Sequence, residues 1–193
     1  MTSVSAAAPV RLLAPALAVA ALLAFVVAGR AEGAGRSWSA YLAPAGACEA
    51  ADDASAPTSA QVRAVACMLN WARVQDGRTR LVRRAALQQA AVLKGERVAS
   101  CRQFSHTPCG SSVRAGVNAS GYRYATFGEN LFAGTWSRVS AREVVSAWLQ
   151  SPPHRANVLS RQFRHVGVAP VRAPGLFDGK DAVVWTATFA SPR

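Results

Sequence analysis

The stretch that decides the fold is residues 140–159, SAREVVSAWLQSPPHRANVL. Ser140 with Glu143 three residues on is the S-x-x-E capping box, which satisfies free N–H groups at a helix start. Behind it Val144, Val145 and Trp148 recur at helical spacing, so one face of this helix is buried. Ser151-Pro152-Pro153 stops the helix, because the residue before a proline is pushed out of the α region. His154 then follows in what reads as a loop of turn formers.

Working outward, two more helices are expected. Thr58 with Gln61 reads as a capping box, Val62, Val65, Ala66 and Leu69 share a face, and Gly77 ends the helix. A second helix runs from about Leu81 to Ser100 with Leu87, Ala90, Ala91 and Val98 on its apolar side; Lys94 interrupts that stripe and Gly95 weakens the interior. C-terminally, His165–Val171 and Ala182–Ala190 read as strands, the latter alternating Val183, Trp185, Ala187 and Phe189 against Val184, Thr186 and Thr188. Asp178-Gly179 between them signals an antiparallel hairpin. A third strand near Tyr124–Phe132 completes a small antiparallel sheet with helices on its faces. The fold class is α+β, a three-layer α-β-α sandwich. Trp136, Trp148 and Trp185 are expected in the core, and His165 on the surface.

The chain has 193 residues, 51% hydrophobic and 17% charged, which fits one domain plus a short remainder and excludes both a disordered tail and a polytopic membrane protein. That remainder is N-terminal. Arg11 precedes an apolar run from Leu12 to Gly29, followed by the small-residue pairs Gly29-x-Ala31 and Ala31-x-Gly33, the pattern of an export signal or, if uncut, a membrane anchor. The expected organisation is signal or anchor over 1–34, a linker or arm over 35–57 pinned by Cys48, and the domain over 58–193, located outside the cytoplasm or in the cell envelope.

The four cysteines, Cys48, Cys67, Cys101 and Cys109, all follow the signal, and an even count in an exported chain reads as disulfides. Three pairings are open; Cys48–Cys67 with Cys101–Cys109 is favoured because each closes a short local loop. A four-cysteine zinc site lacks any C-x-x-C pair. The net charge of +12 reads either as a sign of an anionic partner or as the arginine bias of a GC-rich genome; in an exported chain the partner reading points to an anionic envelope surface. Nucleic acid is excluded by export and by the lack of a basic stripe interleaved with aromatics, leaving anionic envelope polymers, lipid, or the membrane itself through an uncut N-terminal segment.

Phe104-Ser105-His106, Gly128-Glu129-Asn130-Leu131, Ala147-Trp148, Ser151-Pro152-Pro153-His154-Arg155-Ala156-Asn157-Val158-Leu159 and Val166-Gly167-Val168 together resemble, in order and spacing, the bacterial branch of the CAP superfamily (cysteine-rich secretory, antigen-five and pathogenesis-related-one proteins). The resemblance covers about Ala66 to Phe189. It implies an α-β-α sandwich and a cavity lined by two histidines and two acids, which in some members binds a divalent metal, and it brings a link to sterols and other lipids.

Carried over by position, His106 is the first histidine, Glu129 the acid of Gly-Glu-Asn, and His154 the second histidine. The fourth member does not carry over: the animal branch has Glu three residues after the helix Trp, and here that position is Ser151. His106, Glu129 and His154 are therefore the candidate ligand-binding residues. No cofactor is required, while His106 and His154 could hold Zn²⁺ or another divalent cation. The same residues are the candidates for catalysis, with Glu129 as general base of a metal-dependent hydrolase. A structural role stands beside these, the three side chains hydrogen-bonding one another with Glu129 fixing the imidazole tautomers. Nucleophilic catalysis has no support, since no G-x-S-x-G elbow is present. The favoured function is a binding module for a lipid or envelope ligand; the alternatives are the hydrolase and a structural or adhesive wall protein.

Overall fold

The computed structural model describes residues 36–136 and 138–193. The expected export segment, residues 1–34, lies outside them. The centre of the fold is β4 (Lys180–Pro192), which pairs antiparallel with β3 (His165–Phe177) on one side and β2 (Tyr124–Thr135) on the other. The β3–β4 turn is Asp178-Gly179, with φ of 47° and 77°, the left-handed pair that a two-residue hairpin requires. The expected alternation of β4 is observed, but both faces are covered: Val183, Trp185, Ala187 and Phe189 enter the main core, while Val184 and Ala182 pack with Val98. Thr186 and Thr188 are fully buried as well.

The strand order is β1-β3-β4-β2, where β1 (Val82–Arg83) runs parallel to β3. The sheet is thus mixed, with an antiparallel majority. Residues 81–84, expected to open the second helix, form β1 and its flanks, and α2 starts at Ala85 (Ala85–Cys101). Two residues are too few for an alternation signal, and the Leu81-Val82 pair at the strand's start reads equally well as a helix turn.

α2 covers one face of the sheet, with the short α3 (Ala115–Ala119) against it. Its contact with the strands is close. A Cβ at Gly167 on β3 would lie 2.0 Å from the Leu87 carbonyl carbon, and one at Gly95 would lie 2.6 Å from Val171 Cγ2. Gly95 therefore weakens the helix interior but lets the helix sit on the sheet.

The opposite face is covered by α1 (Thr58–Gln75), α4 (Ala141–Gln150) and α5 (Pro152–Leu159). α4 carries the full capping box: Ser140 N–H donates to Glu143 Oε2 at 2.7 Å, and Glu143 N–H donates to Ser140 Oγ at 3.3 Å. α1 does not. Pro57 stands at its N-cap and makes no side-chain cap, while Gln61 Nε2 turns back to donate to the Ala54 and Ala56 carbonyls at 2.9 Å. The prolines after Ser151 end α4 as expected, but they also start α5, where a missing N–H and a fixed φ suit the first helical turn. His154 consequently sits on a helix, not in a loop.

Residues 36–57 wrap the α1–α4 side. One 3₁₀ turn (Trp38–Tyr41) leads to Tyr41, Ala43, Cys48 and Ala51, all buried in the main core. Arg142 of α4 holds this segment through the Asp52 carboxylate and the Ala43 carbonyl. Both disulfides are the favoured pairs, Cys48–Cys67 and Cys101–Cys109. Gly35–Arg193 forms one unit containing every element described, and among the described residues no helix is long and apolar enough to cross a membrane.

Candidate functional site

The site is built on β2, an edge strand whose successive side chains point to opposite faces. Glu129, opposite Thr188, faces the α2 layer, where its carboxylate meets Lys94 Nζ at 3.2 Å and His106 Nδ1 at 2.8 Å. Lys94 also donates to the His106 carbonyl at 2.5 Å. The side chains of Lys94 and Glu129 are 2% and 3% exposed, whereas that of His106 is 48% exposed. A buried ion pair thus forms the floor beneath an open imidazole. A carboxylate only accepts, so His106 Nδ1 carries the proton, and in the neutral ring the bare Nε2 is the free atom.

Asn130 faces the other way, toward α5. Its amide donates to the His154 carbonyl at 3.0 Å, and its Oδ1 accepts from Asn157 at 2.9 Å; Asn157 reaches the Glu129 carbonyl at 3.2 Å. Gly128 completes the logic of Gly-Glu-Asn, because a Cβ there would lie 2.6 Å from the Phe163 ring and 3.2 Å from Asn157 Oδ1. Strand and helix are therefore locked by backbone-directed amides, and His154 is placed by that lock. A second tie comes from Arg73 of α1, fully buried, whose guanidinium donates to the carbonyls of Thr79, Val158, Ser160 and Phe163. Desolvation lowers its pKa to about 10.

His154 does not bond Glu129. Its Nδ1 pairs with Ser151 Oγ at 2.8 Å, one turn back on the helix start. Ser151 is the residue standing where the animal branch has its second acid, so a hydroxyl serves here as the histidine's anchor. Burial holds the His154 imidazole below its usual pKa, and the neighbouring His106 lowers it further. The picture of three side chains bonded to one another accordingly resolves into two separate pairs, His106 on Glu129 and His154 on Ser151.

Lys94 and Asn157 are site residues that the sequence reading did not single out. For Lys94 the signal was present, a charge inside an otherwise apolar helix stripe. Ser105 is spent on its own turn, accepting from Thr107 N–H at 3.0 Å. His165 is not a free surface residue: it is half-buried between the Tyr122 hydroxyl and Arg84, which lies 3.1 Å from Nε2, and burial followed by the Arg84 charge lowers its pKa. Trp148 and Trp185 are core, but Trp136 is 38% exposed.

The donor set is a poor match for a resident zinc ion. Such sites take at least three protein ligands, and here two imidazole Nε2 atoms remain. Among the described residues, the carboxylate nearby, Glu129, is already shared between an imidazole and an ammonium, and that ammonium repels a divalent cation. No step through a metal follows from this geometry.

The profile of the Cysteine-rich secretory protein family (CAP) matches residues 67–189. Uncharacterized protein YkwD of Bacillus subtilis (strain 168) is 31% identical over 150 residues, covering 76% of this chain and 54% of that protein, so the chain spans about half the length of the curated relative it matches. Among solved structures, an outer surface protein from Borrelia burgdorferi aligns with a TM-score of 0.59 at 18% identity, over 72% of this chain and 97% of that one. An extracellular protein containing a SCP domain from Bacillus anthracis str. Ames aligns with a TM-score of 0.57 at 19% identity, over 69% and 41%. At these identities the likeness is one of fold.

Proposed function

This chain belongs to the cysteine-rich secretory protein family, and from that premise we propose that it is an extracytoplasmic binding domain whose ligand contacts are His106 and His154, without a catalytic metal. The observation that carries the reading is the His106–Glu129–Lys94 arrangement. Glu129 is engaged twice and buried, which leaves it unsuited to act as a general base but well suited to hold one imidazole in a single tautomer. What it presents outward is an acceptor nitrogen, with the mostly neutral His154 nearby. Two such groups bind hydroxyl-bearing ligands by hydrogen bonds, and with a net charge of +12 the favoured class is an envelope lipid with an anionic, hydroxylated headgroup.

Placement outside the cytoplasm is supported by the apolar segment at Leu12–Gly29, by two disulfides that an oxidising compartment preserves, and by the extracellular and outer-surface descriptions of the structural relatives. The hydrolase alternative loses its base to Lys94.

A fluorescent phosphatidylglycerol analogue, titrated below its micelle concentration, tests the reading. Saturable binding is expected, weakened by about tenfold or more in His106→Ala/His154→Ala, as loss of two hydrogen bonds to the ligand implies. Equal binding by the double variant, or none by the wild type, overturns it.

A further inference from the structure

The hairpin end of the sandwich exposes aromatic side chains that the core does not use. Phe104 and Phe177 are each 44% exposed, and their rings meet edge to face with centroids 6.1 Å apart. Phe177 closes β3 opposite Lys180, across the Asp178-Gly179 turn. Arg102 reaches the same place, since a Cβ at Gly175 would lie 3.9 Å from its guanidinium carbon. Just past β2, the Trp136 backbone N–H donates to the Asp181 carbonyl at 3.3 Å, and the guanidinium of Arg172 lies 5.5 Å from the centroid of the exposed Trp136 ring. Phe104 and Phe177 thereby gather with Arg102 and Lys180 at the turn, while Trp136 and Arg172 stand at the same end on the main-core face of the sheet, beside Val139, Pro170 and Val183. Asp181 is paired with Arg172, leaving Asp178 as the other acid of the turn.

We infer that this end docks on the surface of an anionic lipid bilayer. Exposed aromatics rimmed by bases match an interface where rings settle at headgroup depth and cations meet anionic lipid. An anionic wall polymer would engage the bases alone and give the Phe104–Phe177 pair no role. A second copy is disfavoured because each chain carries a net charge of +12. The inference stands on the surface alone and holds whether or not the histidines bind a ligand.

The test uses residues 36–193, which contain every element and both disulfides described above, and sedimentation with vesicles of phosphatidylcholine with and without phosphatidylglycerol. Binding is expected to require phosphatidylglycerol. Phe104→Ser/Phe177→Ser should weaken it by about tenfold, and Arg102→Ser/Lys180→Ser by a similar factor that vanishes at high salt. Val74→Ser/Val82→Ser, at positions 45% and 50% exposed elsewhere, should bind as wild type. Near-ultraviolet circular dichroism confirms that each variant is folded. Wild-type protein that stays in solution, or a phenylalanine variant that binds undiminished, overturns the inference.

Discussion

Lys94 Nζ lies 3.2 Å from Glu129 Oε1, joining the middle of α2 to an edge strand through a pair of side chains that are 2% and 3% exposed. Desolvating two charges costs several kcal/mol each, and the cost is offset only while both are present and hydrogen-bonded. Lys94→Met leaves the carboxylate buried with a single imidazole partner, and urea unfolding should show a loss of about 3–5 kcal/mol. Lys94→Met/Glu129→Met removes both charges together and should recover most of that loss. Additive losses would show that the pair is not energetically coupled.

Gly167 of β3 meets backbone, not side chain: its missing Cβ would lie 2.0 Å from the Leu87 carbonyl carbon and 2.1 Å from Gln88 N. A helix backbone cannot rotate aside as a side chain can. Gly167→Ala should therefore cost about 3 kcal/mol or more, at the upper end of overpacking effects. Gly121→Ala is the comparison, with open space around it but φ of 72°, where about 1–2 kcal/mol is expected from the left-handed backbone. Thermal melts of the two variants should rank in that order.

Features written into short stretches of sequence were legible. The Ser140–Glu143 cap, the alternation of β4 and the Asp178-Gly179 turn each involve neighbours within a few residues, and all three form as expected. The cysteine pairs were legible because each closes a local loop, with separations of 19 and 8. The failures also have local causes. Thr58 and Gln61 have the spacing of a capping box, but Pro57 takes the cap position and Gln61 finds nearer carbonyls. The Pro152-Pro153 pair carries opposite meanings for the helix before it and the helix after it.

At the site, family resemblance supplied His106, Glu129 and His154, and periodicity supplied none of them. Lys94 was visible only as a flaw in α2, because its partner lies on another element and only the tertiary fold brings them together. The division into two histidine pairs was equally out of reach, since Ser151 as an anchor differs from Ser151 as a helix stop only in where its hydroxyl points.

His154 and His165 are both held below the ordinary imidazole pKa of about 6.5, by burial first and then by His106 and Arg84 respectively. Both rings are therefore mostly neutral in the folded protein at neutral pH. As pH falls below about 6.5 the unfolded chain takes up these protons first, so stability is fully present above that value and is lost as pH drops through the lowered folded-state values. Unfolding midpoints measured stepwise from neutral to mildly acidic pH should fall, and His154→Gln or His165→Gln should each flatten part of the slope. Proton NMR of the ring C–H signals should place both titrations below that of a free imidazole. A slope unchanged in both variants contradicts the assignment.

The Cys101–Cys109 disulfide closes the loop that carries His106, with a sequence separation of 8. On the chain-entropy account, Cys101→Ser/Cys109→Ser should cost about 2.5 kcal/mol. The loop has other anchors: Gln103 Oε1 accepts from Cys109 N–H at 2.7 Å, Lys94 holds the His106 carbonyl, and Glu129 holds the ring. Its amides should therefore exchange with deuterium faster than in wild type, while His106 keeps its contact with Glu129 and hence its tautomer. Cys48→Ser/Cys67→Ser opens a longer loop, with a separation of 19, and should cost slightly more, about 3 kcal/mol. Its faster exchange should fall in residues 36–57 and leave the His106 loop unchanged. If both variants loosen the same amides, the two disulfides brace one cooperative unit instead of two separate segments.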